Sequence, residues 1–207
     1  MRENKYKLSK IKQLKREIDI LWLRAVESTR LFDARRASDL REIKINELIE
    51  LELQIQKEIV YDLNTNGCDI DKLTDLYIKN NNFDKKIYEI LIKHLTMNYT
   101  PNIKAIIATI FLMRNSREFW PVLIDEFLKG PHFGSVYDDI IANILLNTAK
   151  SQDIDQIIDI IKITSNPSRV ILLRVLRKYR NKNIAAANAI ENFGSDENLR
   201  DEISSWK

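Results

Sequence analysis

One apolar pattern recurs three times between residues 101 and 180 of this chain. Each copy consists of two adjacent apolar residues with a third apolar residue three positions before them: Ile107, Ile110 and Phe111; Ile141, Ile144 and Leu145; Leu172, Val175 and Leu176. Positions 107, 141 and 172 are 34 and 31 residues apart. Each interval accommodates two helices and a turn, so the pattern predicts stacked helical hairpins.

The composition agrees with a helical protein. The 207 residues include only four Gly and four Pro, and 44% of them are hydrophobic. Few helix breakers together with abundant Ile, Leu, Lys and Glu favour helices joined by short turns. We therefore predict an all-α fold with enough apolar side chains to form a core.

The sequence contains no feature that directs the chain out of the cytoplasm. The single cysteine, Cys68, cannot form an internal disulfide. The first sixteen residues are a charged run that no apolar segment follows, and every window of eighteen residues contains a charge. We expect a cytoplasmic protein without a signal peptide or a membrane-spanning helix.

The N-terminal third contains no helix breaker before Gly67. One apolar stripe at helical spacing consists of Leu8, Ile11, Leu14, Ile18, Leu21, Trp22, Ala25 and Val26, and a second begins at Leu48. The two stripes are out of register, and the polar segment from Asp33 to Asp39 lies between them. The pattern favours a helical hairpin over one continuous helix, and it predicts an N-terminal unit at 1–66 followed by a repeat domain at 67–207.

Two roles are open for this N-terminal unit. It is either a coiled-coil arm that mediates oligomerisation or partner capture, or a pair of helices that packs on the repeats. The second interpretation is favoured because apolar a and d positions are not sustained over several heptads. Trp22, Trp120 and Trp206 lie on apolar faces and are expected in the core.

Turn-forming residues divide the remainder of the chain into helices. Pro101, Ser116, Ser151 and the Asn166-Pro167-Ser168 segment are all placed to begin one. The predicted helices span residues 70–79, 83–97, 102–113, 117–128, 136–148, 153–163, 169–180, 184–192 and 197–206. Turns this short favour antiparallel neighbours.

Three stretches carry a family resemblance: PNIKAIIATIFLMRNSREFWPVLIDEFL, SVYDDIIANILLNTAKSQDIDQIIDIIK and PSRVILLRVLRKYRNKNIAAANAI. Over residues 69–207 the chain resembles the HEAT-type repeats of armadillo-like proteins. The consensus Asp and Arg positions are not clear in every unit, and the second helix of the third unit is short and rich in Ala. The resemblance implies a right-handed α-α superhelix whose second helices line a concave partner-binding side. The last stretch is also similar to small bacterial repeat proteins, some of which are immunity proteins against toxins.

The second helices of the predicted repeats are acidic. Residues 118–159 contain eight acidic side chains and only two lysines. The candidate partner-binding carboxylates are Glu118, Asp125, Glu126, Asp153, Asp155 and Asp159. They are either the ordinary charged surface of helices or a face that binds a basic protein, such as a nuclease toxin that an immunity or antitoxin-like protein neutralises.

The alternative function is nucleic-acid binding. Residues 162–182 contain seven basic side chains and no acid. The candidate contacts are Arg169, Arg174, Arg177, Lys178, Arg180 and Lys182. Tyr179 is the only aromatic residue among them, which is poor for stacking on single-stranded bases. Ion pairs with acidic neighbours such as Glu191 or Asp196 are the competing explanation.

The residue types that usually perform catalysis are not arranged for it. His94 and His132 are 38 residues apart, and neither has a cysteine or carboxylate at the spacing of a zinc site. There is no Gly-rich phosphate loop and no Ser/His/Asp arrangement. We predict a non-enzymatic protein without cofactor or metal, whose oligomeric state the sequence leaves open.

Overall fold

The computed structural model describes residues 2–27, 31–78, 83–112, 116–132 and 136–206. Within these ranges the chain is helical and contains no β-strand, which confirms the all-α prediction. The α-helices are α1 (Arg2–Glu27), α2 (Leu31–Asn64), α3 (Lys85–Leu95), α4 (Pro101–Leu112), α5 (Trp120–Leu128), α6 (Tyr137–Thr148), α7 (Ile154–Ile163), α8 (Arg169–Tyr179), α9 (Ile184–Phe193) and α10 (Glu197–Ser204). Short 3-10 helices span Leu73–Tyr77, Arg117–Phe119 and Ser151–Asp153. No helix in the described ranges is long and apolar enough to cross a membrane.

Most predicted helices are present with small shifts of their ends. The predicted helix at 70–79 is wrong, because only the 3-10 turn Leu73–Tyr77 forms there. Ser116 is not a side-chain cap, since its hydroxyl donates to the carbonyl oxygen of Phe111 at 2.6 Å. The predicted turns at residues 80–82 and at Gly134 lie outside the described residues.

The N-terminal unit is a hairpin in which α1 packs along α2. Lys10 lies 2.6 Å from Glu47, and Glu17 lies 3.1 Å from Lys44, so the two helices run antiparallel. Ion pairs this exposed to solvent contribute little to stability, and they mainly help to set the register of the two helices. The polar segment from Asp33 to Asp39 is not the turn that we predicted, because it lies inside α2.

Among the side chains that the structure describes, those at the base of the hairpin pack on the rest of the protein. Ile11, Ile55 and Ile59 are at most 1% exposed and belong to the same core cluster as the helices that follow. Large apolar residues farther along the hairpin are exposed, among them Ile20, Trp22, Leu23, Val26, Leu40 and Ile43. The prediction that Trp22 is a core residue is wrong: it is 49% exposed.

The triple apolar pattern forms the centre of the core. All nine of its residues are at most 1% exposed. Helices α4, α6 and α8, which carry the pattern, pack on one another in that order. Helix α5 packs on α6, and α7 and α9 pack on α8 and on each other. This arrangement places α7 and α9 side by side.

Candidate functional site

The six predicted partner-binding carboxylates divide into two groups. Glu118, Asp125, Asp155 and Asp159 are exposed, whereas Glu126 and Asp153 are buried. The sequence-based prediction placed all six on one accessible surface. It is therefore corrected at Glu126 and Asp153, whose side chains bind other parts of this protein.

Glu126 lies in a buried polar network that joins α4, α5 and α6. Its carboxylate accepts hydrogen bonds from Lys104 Nζ at 2.5 Å, from Tyr137 Oη at 2.9 Å and from Lys129. Burial raises the pKa of Glu126, but the hydrogen bonds from Lys104 and Lys129 outweigh that effect and hold the pKa below its usual value. A fully buried and paired carboxylate is not available to a partner protein.

Asp153, which directly precedes α7, connects that helix to the segment before α5. Its two oxygens accept hydrogen bonds from the guanidinium of Arg117 at 2.6 and 2.7 Å, and the backbone N–H of Lys150 donates to it at 2.7 Å. The Arg117 guanidinium lies 4.5 Å from the ring of Trp120, whose indole N–H donates to Gln156. Asp153 is therefore a structural residue, and Trp120 is buried as predicted.

Helix α7 separates an apolar face from an acidic one. Its isoleucines at 154, 157, 158 and 161 are at most 8% exposed, while Asp155 and Asp159 are exposed on the opposite side. The two carboxylates are four residues apart and share a helical face. Neither has an ion-pair or hydrogen-bond partner within the ranges that the structure describes.

Asp155 and Asp159 line a groove of about 420 Å³ between α7 and α9, which we call the α7/α9 groove. The α7 wall also contains Ile158 and Lys162. The α9 wall consists of Ala185, Asn188, Ala189, Asn192 and Phe193. Small alanine side chains on α9 leave this space open, and the groove combines an apolar floor with carboxylates and amides at its edges.

The other two exposed carboxylates do not line the groove. Asp125 on α5 lies two residues after the buried Leu123, and Asp159 on α7 lies two residues after the buried Ile157, so both are exposed beside a buried row of their own helix. Glu118 lies in the 3-10 turn that precedes α5. Of the predicted set, the structure therefore brings only Asp155 and Asp159 together in one concave feature.

The predicted basic site is partly occupied by the C-terminal segment of the chain. Arg169 pairs with Asp196 at 2.8 Å, Arg174 pairs with Glu202 at 3.0 Å, and the Arg177 guanidinium lies 5.2 Å from the ring of Trp206. Lys178 lies against Tyr179, while Arg180 and Lys182 are exposed. The predicted pairing with Asp196 is confirmed, whereas sequence reasoning missed Glu202 because nothing indicated that α10 folds onto α8.

His94 links the hairpin to α3. Its Nε2 lies 3.1 Å from the carboxylate of Asp62, and its Nδ1 lies 2.9 Å from the hydroxyl of Tyr99. Burial lowers the pKa of His94, and the nearby Asp62 offsets this only in part.

Within the described ranges, no group of three or more His, Cys, Asp or Glu side chains is placed to hold a metal ion.

Comparisons with known proteins identify no relative. No protein-family model matches the chain, and neither the curated proteins nor the solved structures include a significant match.

Proposed function

We propose that this protein is a non-catalytic binding module that captures a basic protein through the acidic side of α7. The observation that carries the proposal is the α7/α9 groove, whose two carboxylates have no partner within the described ranges. Unpaired carboxylates beside an apolar floor favour a cationic, partly apolar ligand. Asp125 is exposed on α5 and contributes a further negative charge to the proposed acidic surface.

The most concrete form of this function is an immunity or antitoxin-like role against a basic nuclease toxin. Nuclease surfaces that bind nucleic acid carry positive charge, so an acidic surface competes for them directly. The resemblance of residues 69–207 to HEAT-type repeats, and the weaker likeness to small bacterial immunity proteins, support this role. The proposal requires no catalytic residue and no cofactor.

Nucleic-acid binding through residues 169–182 remains the competing hypothesis. Asp196, Glu202 and Trp206 already contact three of its six cationic side chains. A filter-binding titration with DNA and RNA at low salt distinguishes the two functions. Retention of nucleic acid that weakens steeply with salt supports the competing hypothesis and contradicts ours.

The toxin-neutralising role is tested with the product of the neighbouring gene. We expect the adjacent reading frame to encode a basic nuclease, and one equivalent of this protein to inhibit the purified nuclease. Replacement of Asp155 and Asp159 by Lys should abolish the inhibition, while the far-ultraviolet circular dichroism spectrum stays unchanged. Full inhibition by that variant would exclude the α7 surface, and a neighbour without nuclease activity would exclude the toxin role.

A further inference from the structure

The α7/α9 groove has a shape that distinguishes among cationic ligands. Its floor is formed by Ile158, Ala189 and Phe193, which are 6–9% exposed and present apolar atoms. Its edges carry Asp155, Asp159 and the exposed Lys162 of α7 on one side and the amides of Asn188 and Asn192 on the other. The groove is thus apolar at its base, and its edges offer two carboxylates and two amide oxygens as acceptors beside one ammonium group.

A long side chain with a flat cationic end matches both properties. Arginine buries its aliphatic stem on apolar surface and keeps its charged end at the polar edge. Its planar guanidinium has five donors in a fixed fork, which suits two carboxylates and two amide oxygens better than the compact ammonium of lysine. We propose that the α7/α9 groove binds a single arginine side chain of the partner, with its guanidinium at Asp155 and Asp159.

This inference rests on the proposed function but makes a narrower claim. General attraction of a basic protein depends on the charge of Asp155 and Asp159 and not on the space between α7 and α9. Binding of an arginine side chain in the groove requires that space as well. A variant that fills the groove without changing its charge therefore separates the two claims.

Ala185 offers such a variant. It is half-buried on α9 and lines the groove, and Ala185→Leu fills part of the space with a side chain that is also a good helix former. Ala187 is half-buried on the same helix and does not line the groove. Ala187→Leu is therefore the matched control, with the same chemical change outside the site.

The test is a titration of the whole protein with N-acetyl-arginine methylamide, followed by amide NMR spectra. We expect saturable shifts of the side-chain amides of Asn188 and Asn192. The lysine analogue should bind at least about fivefold more weakly and the uncharged citrulline analogue not measurably, as the bidentate geometry predicts. Ala185→Leu should weaken arginine binding by about fivefold or more, and Ala187→Leu should leave it unchanged.

Several results would contradict the binding of an arginine side chain in the α7/α9 groove. They are the absence of saturable shifts at the two asparagines, equal affinity for the lysine analogue, and arginine binding that Ala185→Leu does not alter. None of these results contradicts the proposed function if a basic peptide still binds the wild-type protein more tightly than the charge-reversed variant. If the peptide also binds both proteins equally, the proposed function fails as well.

Discussion

Replacing Glu126 by Leu tests whether the polar network around it is buried as the structure describes. The substitution removes the carboxylate to which Lys104 and Tyr137 both donate, and it leaves Lys104, which is 6% exposed, without this ion-pair partner. Removing one member of a buried ion pair typically costs about 3–5 kcal/mol. Loss of the acceptor for the Tyr137 hydroxyl acts in the same direction.

We expect Glu126→Leu to lower the free energy of unfolding by about 3–5 kcal/mol, because it leaves the buried Lys104 ammonium unpaired. That cost is a large part of the roughly 5–15 kcal/mol typical of a domain.

The assay is urea denaturation followed by circular dichroism, with the double variant Lys104→Met/Glu126→Leu as the control. Since Lys129 is exposed and the double variant leaves no unpaired buried charge at the site, it should be more stable than Glu126→Leu alone by about 2 kcal/mol or more. A cost below about 1 kcal/mol for Glu126→Leu would refute the burial of this ion pair. Equal stability of the single and double variants would refute the coupling between Glu126 and Lys104.

Two further predictions concern stability. Burial lowers the pKa of His94 in the folded protein. The unfolded state therefore binds more protons than the folded state near and below about pH 6.5. As a result, the free energy of unfolding should fall as the pH drops from about 7 to about 5. His94→Gln should flatten that pH dependence in urea titrations, and an unchanged profile in this variant would contradict the effect of burial on His94. Trp120→Ala should lower the free energy of unfolding by about 3–5 kcal/mol because Trp120 is 5% exposed, whereas Trp22→Ala should cost less than about 1 kcal/mol. Similar costs for the two tryptophan variants would contradict this contrast in burial.

The helices from α4 to α10 were largely predictable because they are short and clearly separated. Pro101 begins α4, and the Asn166-Pro167-Ser168 segment directly precedes α8. The spacing of the apolar residues then identified the buried face of each helix, as in α7. Local backbone preferences and side-chain periodicity are both readable from sequence, and here they agree with each other.

The error at Glu126 occurred because this charged residue lies on an apolar face. Glu126 follows the buried Leu123 by three residues and precedes the buried Phe127, so its helical position is internal. Lys104 on α4 precedes the buried Ile107 by three residues and the buried Ala108 by four, so its position is internal as well. Two charges of opposite sign at internal positions indicate a buried pair, but only the packing of α4 and α5 on α6 shows that they meet.

The surroundings of an apolar stripe cannot be read from its periodicity. Trp22 continues the apolar stripe of α1, yet it lies beyond the part of the hairpin that packs on the rest of the protein. In the same way, the alanines of α9 appeared in the sequence only as a departure from the repeat. The groove that they open depends on α7 and α9 lying side by side, which is a property of the assembled fold.

A binding site at the α7/α9 groove is tested most directly by measuring the affinity of a fluorescent arginine- and lysine-rich peptide for two variants of equal net charge. In Asp155→Lys/Asp159→Lys the reversed charges line the groove, and in Glu197→Lys/Asp201→Lys they are exposed on α10. We expect the groove variant to lose peptide binding at moderate salt and the α10 variant to keep nearly wild-type affinity. Equal losses in the two variants would mean that only net charge matters, and that result would contradict a binding site at the α7/α9 groove.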